Sequence, residues 1–174
     1  FRDSRRMYVA GVPAIINRLS FTGELGYEIY VAPHYQIKLY EELMEAGKEF
    51  NIKPFGARAL MSMRLEKNWG AWTLDYRPDF TPKEVGLDVF INWDKDFIGK
   101  NSAKKDKSKN KITPLIVETN EIDVTYNEAV MKGDKSIGYV TSGGFAHFVN
   151  KSVAFSYLDT NELNSGKGIQ VEIN

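Results

Sequence analysis

Between Lys100 and Lys111 the chain reads KNSAKKDKSKNK, a stretch without one large apolar side chain. Such a run cannot be carried into an interior, so any core must be assembled on either side of it. The two sides differ in pattern. Before the run, helical spacing and one hairpin signal dominate; after it come short alternating segments cut by Gly, Asp and Asn. This predicts an α+β chain: a hairpin plus helices over 1–103, a lysine-rich linker over 104–111, and a small antiparallel β-barrel over 112–174. The run itself reads as a solvated helix end passing into a linker. Without interleaved aromatics it is weak evidence for nucleic acid.

In the first part, Ala14 to Phe21 reads as a strand, Thr22 to Gly26 as a turn and Tyr27 to Val31 as the returning strand. Alternation places Tyr27, Ile29 and Val31 on one face, Glu28 and Tyr30 on the other. After Pro33 a helix follows, with Ile37, Tyr40, Met44 and Gly47 at helical spacing and Leu39 and Leu43 widening the stripe; Gly47 or the Asn51 region ends it. Ala57 to Glu66 has high helix propensity and no breaker, and Leu60, Met61 and Leu65 would bury it. Pro78 and Pro82 then argue against a long regular element, and Leu87 to Trp93 reads as a strand. In the second part ITPLIVE, AVMKGDKSIGYVTSGG, KSVAFSYLD and GKGIQVEIN read as strands, with Gly133-Asp134 as a hairpin turn.

Charge and composition remove several function classes. Lys plus Arg and Asp plus Glu number 23 each, so no global field draws the chain to nucleic acid or an anionic membrane. No apolar run approaches the ~20 residues of a membrane span. There is no Cys, which excludes disulfides, thiolate metal sites and a cysteine nucleophile, and two His cannot make a histidine-rich metal site. There is no GxxxxGK[ST] and no GxGxxG after a strand, and SGG at 142–144 lacks the helix a nucleophile elbow needs. The chain opens on Phe1 without an initiator Met or signal-type segment, and reads as an interior piece of a longer protein.

One residue stands out. Glu28 is an acid between Tyr27 and Ile29 in an apolar strand, where an unpaired polar group would cost several kcal/mol, on the order of the desolvation penalty. Two readings stay open. Arg18, Arg58 or Arg64 could pair with it, or it could await a ligand with two parallel N–H groups, such as the 2-amino-4-oxo edge of a pterin. Trp69, Trp72, Tyr76 and Phe80 form an aromatic cluster that suits core packing or a cavity wall. His147 suits a loop, Gly143 and Gly144 a backbone turn, Arg64 and Glu66 structural ion pairs, and Asp94 and Asp96 a turn.

SFTGELGYEIYVAP, followed about thirty residues later by GARALMSMRLEKNWG, resembles the core of the aminomethyltransferase family. That family holds the folate-binding T-protein of the glycine cleavage system and the C-terminal halves of dimethylglycine and sarcosine dehydrogenases. DFTPKEVGLDVFINWDKDFIGKNSA and IGYVTSGGFAHFVNKSVAFSYLD resemble its later stretches, and EKNWGAWTLDYRPDFTP is most similar to the dehydrogenase branch. The resemblance implies a partial folate-binding α/β domain followed by the family's barrel. It implies one-carbon transfer from an N-methylated glycine to tetrahydrofolate, in glycine catabolism and one-carbon metabolism. It places the pterin-binding Glu on Glu28 and a ring contact on Phe21, where the family has Tyr. Tyr27, Tyr30 and Trp69 would shape the surroundings. An Arg contact of T-proteins falls on Leu60 and does not transfer.

The resemblance also locates the family's catalytic Asp, and any FAD domain, upstream of VPAIINRLSF, so the chain by itself is expected to be inactive. Expected partners are folate, the missing N-terminal half or a flavin domain, and a second copy of the chain; neither nucleic acid nor membrane is expected. The expected compartment is the cytoplasm, or the mitochondrial matrix in a eukaryote. The alternative is a non-catalytic folate-binding or interaction module.

Overall fold

The computed structural model describes residues 3–119, 122–165 and 168–173. Contacts within the chain fall into two compact units, residues 1–64 and 65–174.

The first unit opens with a three-stranded antiparallel sheet, in the order β1 (Ser4–Val9), β2 (Val12–Asn17), β3 (Glu28–Tyr30). β1 and β2 are joined by Ala10 and Gly11, both at positive φ (50° and 74°). That pair of left-handed residues gives the two-residue turn whose twist matches antiparallel strands. The expected hairpin between β2 and β3 is present, with Ile15 opposite Tyr30 and Asn17 opposite Glu28. Its strands are shorter than the alternation suggests, and residues 18–27 form an irregular connection. A single 3₁₀ turn (Pro33–Tyr35) leads into α1 (Gln36–Ala46), and Gly47 caps it. Leu39 is buried, but Ile37 and Tyr40 of the same helix are 74% and 57% exposed, so the apolar stripe is only half used. α2 (Ala57–Glu66) carries the chain into the second unit over the span its helix propensity predicts.

The second unit begins with Leu65. Residues 67–99 form a succession of turns, and the expected strand over Leu87 to Trp93 is a 3₁₀ turn at Asp88–Phe90 instead. The reason lies in the preceding TPKE. Thr81 N–H donates to Glu84 Oε2 (2.8 Å) and Glu84 N–H to Thr81 Oγ1 (3.3 Å). This reciprocal box commits the backbone to helical turns. Leu87 N–H then bonds Pro82 O and Phe90 N–H bonds Leu87 O, leaving no edge for a strand partner.

After the short α3 (Lys100–Lys104) come β4 (Asn110–Val117), β5 (Ala129–Lys132), β6 (Lys135–Ala146), β7 (Lys151–Asp159), α4 (Thr160–Ser165) and β8 (Ile169–Glu172). The five strands form one antiparallel sheet in the order β4-β7-β6-β5-β8. Gly133 and Asp134 make the β5–β6 turn as expected. Of the last predicted strand, Gly166, Lys167 and Asn174 lie outside the described residues. Val124, Val130, Val140, Ala154 and Leu158 form the core, and both outer strands feed it, β4 through Leu115 and Val117, β8 through Ile169 and Val171. A sheet whose two edges pack on one interior curls as a small barrel does. Gly143 and Gly144 lie within β6 and make no turn. A Cβ on Gly143 would come within 2.4 Å of the Val124 carbonyl oxygen, so a bare backbone is needed for the close approach.

Candidate functional site

Paired residues of an antiparallel sheet share a face. The register therefore builds two cross-strand rows on one side of the first sheet: Ser4–Asn17–Glu28 and Arg6–Ile15–Tyr30, with Tyr8 and Pro13 beyond. Val12 and Ala14 project to the other side and are buried. The Glu28 side is open. Tyr8 is 73% and Tyr30 54% exposed, and Arg6, Tyr8, Pro13, Ile15 and Tyr30 line a shallow hollow of about 590 Å³. Glu28 stands two residues before Tyr30 on this same face.

Glu28 is itself exposed. The expectation of a buried acid is thus corrected: β3 is an edge strand and the face carrying Glu28 is solvated, so the carboxylate keeps its water. No arginine holds it among the described residues. The Tyr30 hydroxyl donates to Glu28 Oε2 at 2.6 Å, and this bond, with the carboxylate's charge, raises the Tyr30 pKa above its ordinary value. Arg18 instead lies over the ring of Tyr27, 5.7 Å from its centroid, a cation–π contact.

Of the residues singled out for the ligand, Glu28 and Tyr30 come together. Tyr27 belongs by alternation to the opposite face, where Arg5, Ile16, Arg18 and Tyr27 border a separate hollow of about 350 Å³. Phe21 is half-buried in the 18–27 connection, and Trp69 is an exposed residue of the second unit. The aromatic cluster divides as well. Phe80 stacks on Tyr157 with centroids 3.4 Å apart, whereas Trp72 meets Tyr76 edge-on at 5.5 Å and stays largely exposed.

Sequence reasoning missed a buried polar cluster in the second unit. Asp75 is fully buried. Its carboxylate accepts from Thr141 Oγ1 (2.6 Å), Ser142 Oγ (2.9 Å) and Ala71 N–H (2.8 Å), and its carbonyl accepts from the Tyr157 hydroxyl (2.7 Å). Burial, and then the charge of Asp75, push the Tyr157 phenol well up from its ordinary pKa. Every group here is answered from within the fold, so the cluster pins the 71–76 turn to β6 and β7. The only sequence signal was TS at 141–142, polar residues inside an apolar alternation.

The fold can be placed among known proteins. A solved aminomethyltransferase T of the glycine cleavage system from Bartonella henselae superposes with a TM-score of 0.81, covering 92% of this chain and 46% of that one at 23% identity. The architecture is thus the aminomethyltransferase fold. A family profile described as the GCVT N-terminal domain matches residues 1–95, and one described as the glycine cleavage T-protein C-terminal barrel domain matches residues 111–174. The chain belongs to this glycine cleavage T-protein family. It is 35% identical to human mitochondrial dimethylglycine dehydrogenase over 99% of its length but 21% of the relative's. It is 32% identical to an aminomethyltransferase of Thermoanaerobacter pseudethanolicus, covering 47% of that protein. The chain therefore spans about half of the aminomethyltransferases and a fifth of the dehydrogenases it matches. Among the described residues, no helix is long and apolar enough to cross a membrane.

Proposed function

We propose that the chain is the tetrahydrofolate-binding portion of a one-carbon transferase of the dimethylglycine or sarcosine dehydrogenase type, and that Glu28 anchors the pterin. The observation that carries this is the sheet face itself. An exposed carboxylate with Oε1 engaged by no described residue stands beside Ile15, Tyr30 and Tyr8. A flat heterocycle with a hydrogen-bonding edge needs that pairing of a planar acceptor and an apolar platform. Tyr30 holds one lone pair of Oε2, and the remaining acceptor sites of the carboxylate suffice for two parallel N–H donors.

In this reading, residues 1–103 form part of the folate domain, 104–111 the connection and 112–174 the barrel. Family membership and the dehydrogenase relatives support a parent that moves a one-carbon unit from an N-methylated glycine to tetrahydrofolate. The chain's own residues bind and orient the acceptor; none is assigned to the transfer or to a flavin. The chain alone is expected to bind folate without turnover. Titration calorimetry with tetrahydrofolate on the wild type and Glu28→Gln tests the reading. Saturable binding lost in the variant supports it, and equal binding, or none by either, overturns it.

A second reading is favoured by the uncovered apolar residues of the first unit, among them Ile37, Tyr40 and Phe50. It is an interaction module that docks a protein surface without folate. Absence of folate binding together with concentration-dependent assembly would select it.

A further inference from the structure

Asn17 ends β2 directly opposite Glu28, and Ser4 stands opposite Asn17 on β1. The three share one row and one face. Ser4 Oγ donates to Asn17 Oδ1 at 2.7 Å. This bond settles which way the amide points. Its oxygen is occupied toward β1, and its nitrogen, which has no partner among the described residues, keeps two donors free. Directly opposed side chains in an antiparallel pair have Cβ atoms about 5 Å apart. The row therefore presents two carboxylate acceptors and, one side chain away, an oriented pair of N–H donors.

We infer that Asn17 reads the 4-oxo group of the pterin, with Ser4 fixing the amide for that task. The inference rests on the folate reading above. The edge of a 2-amino-4-oxo ring shows, in order, the exocyclic amine as donor, the ring N3–H as donor and O4 as acceptor. Glu28 answers the first two. O4 then emerges at the side of the carboxylate, where a second carboxylate would repel it and an apolar side chain would leave it dry and unsatisfied. An amide nitrogen at that point completes the pattern. Asn17 is thus a specificity residue and Ser4 a positioning residue. The pairing explains why the row keeps a short polar side chain on each strand, although the next row along the same face holds Ile15 and Tyr30.

The test compares tetrahydrofolate with its 4-thioxo analogue, which keeps N3–H and the amine but offers sulfur, a weak acceptor, in place of O4. Affinities for both are measured by calorimetry on the full 174-residue chain, as wild type, Glu28→Gln, Asn17→Leu, Asn17→Asp and Ser4→Ala. The wild type is expected to prefer the oxo compound by about tenfold, the scale of one hydrogen bond to a desolvated group. Asn17→Leu, which keeps the branching but has no polar atom, brings the ratio near unity. Asn17→Asp takes it to unity or below, and Ser4→Ala gives a value between wild type and Asn17→Leu. A general loss of folded protein would lower both affinities together and leave the ratio unmoved. If Glu28→Gln weakens both compounds but Asn17→Leu keeps the wild-type ratio, the Asn17 assignment is wrong and the folate reading survives. If Glu28→Gln leaves both affinities unchanged, the folate reading itself fails.

Discussion

The hydroxyl of Tyr30 and the carboxylate of Glu28, two residues apart on β3, meet at 2.6 Å on an open sheet face. The bond bears on how Tyr30 titrates. Because the donor proton is held by an anion, Tyr30 ionises above the ordinary tyrosine value. The interaction stabilises the fold below the unfolded tyrosine pKa of about 10 and is lost as pH rises through the higher folded value. With tyrosine ring carbons labelled, NMR titration should show the Tyr30 midpoint above the ordinary tyrosine value. In Glu28→Gln that midpoint should fall toward the ordinary value. An unchanged Tyr30 midpoint in that variant would show the bond absent in solution.

Asp75 makes the opposite case, an acid out of reach of water. Asp75→Ala removes the acceptor of the Ala71 N–H and of two hydroxyls in a dry interior, leaving Thr141 only its longer bond to the Phe155 carbonyl (3.3 Å), and each group left unanswered costs about 1–3 kcal/mol. A loss of about 4 kcal/mol by urea denaturation is expected, with roughly 1–2 kcal/mol for Thr141→Val. Since Thr141 bonds Asp75 directly, the double variant should lose less than the two singles together, by at least about 0.5 kcal/mol. Strict additivity would mean that the cluster does not act as a unit. Tyr157→Phe keeps the stack on Phe80 and loses only the bond to the Asp75 carbonyl, about 1 kcal/mol.

The contrast between these two acids shows what was legible in the sequence. Local order was. The bounds of α2, the cap at Gly47, the Gly133-Asp134 turn and the run of β7 all follow from propensity, periodicity or turn chemistry within a few residues. Partners distant in the chain were not. Nothing around Asp75 announces Thr141 and Ser142, more than sixty residues on. Nor does SRRMYV announce β1, whose consecutive arginines suit a strand only because they lie on an edge facing solvent. For Glu28 the apolar neighbours suggested burial, but a two-faced strand shows its environment only once the layer on each side is known. VGLDVF had the composition of a strand and lost it to the Thr81–Glu84 box beside it.

Acid stability should depend on Asp106. The Ser108 hydroxyl donates to it at 2.5 Å and the Ser108 N–H at 2.7 Å. These bonds, with one from the Thr81 side chain, depress its pKa to about 2. A lowered carboxylate stabilises the fold above its unfolded pKa near 4, and the contribution fades as pH falls toward 2. Ser108→Ala should return the Asp106 midpoint toward the ordinary range in a carboxyl-carbon titration and shift the acid unfolding midpoint upward. An Asp106 that titrates normally in the wild type would remove this account. Glu162, lowered chiefly by its hydrogen bond from Lys132 (2.5 Å), should respond in the same sense to Lys132→Met.

Several large apolar side chains of the first unit stand in water. Ile37 and Tyr40 form an uncovered stripe on α1, and Phe50 follows in the next turn, 77% exposed. Exposed apolar side chains that gather into a patch associate when a partner offers a like surface. A second copy of the chain always offers one. Light scattering coupled to size exclusion should therefore show mass rising with concentration for the wild type. Ile37→Ser with Tyr40→Ser should hold the chain monomeric over the same range, because both side chains are solvated in the monomer and their replacement costs the fold little. The Glu28 face lies on the sheet and not on this stripe, so the double variant should bind tetrahydrofolate with wild-type affinity. A wild-type chain that stays monomeric at millimolar concentration would show that the stripe is tolerated by water and drives no assembly.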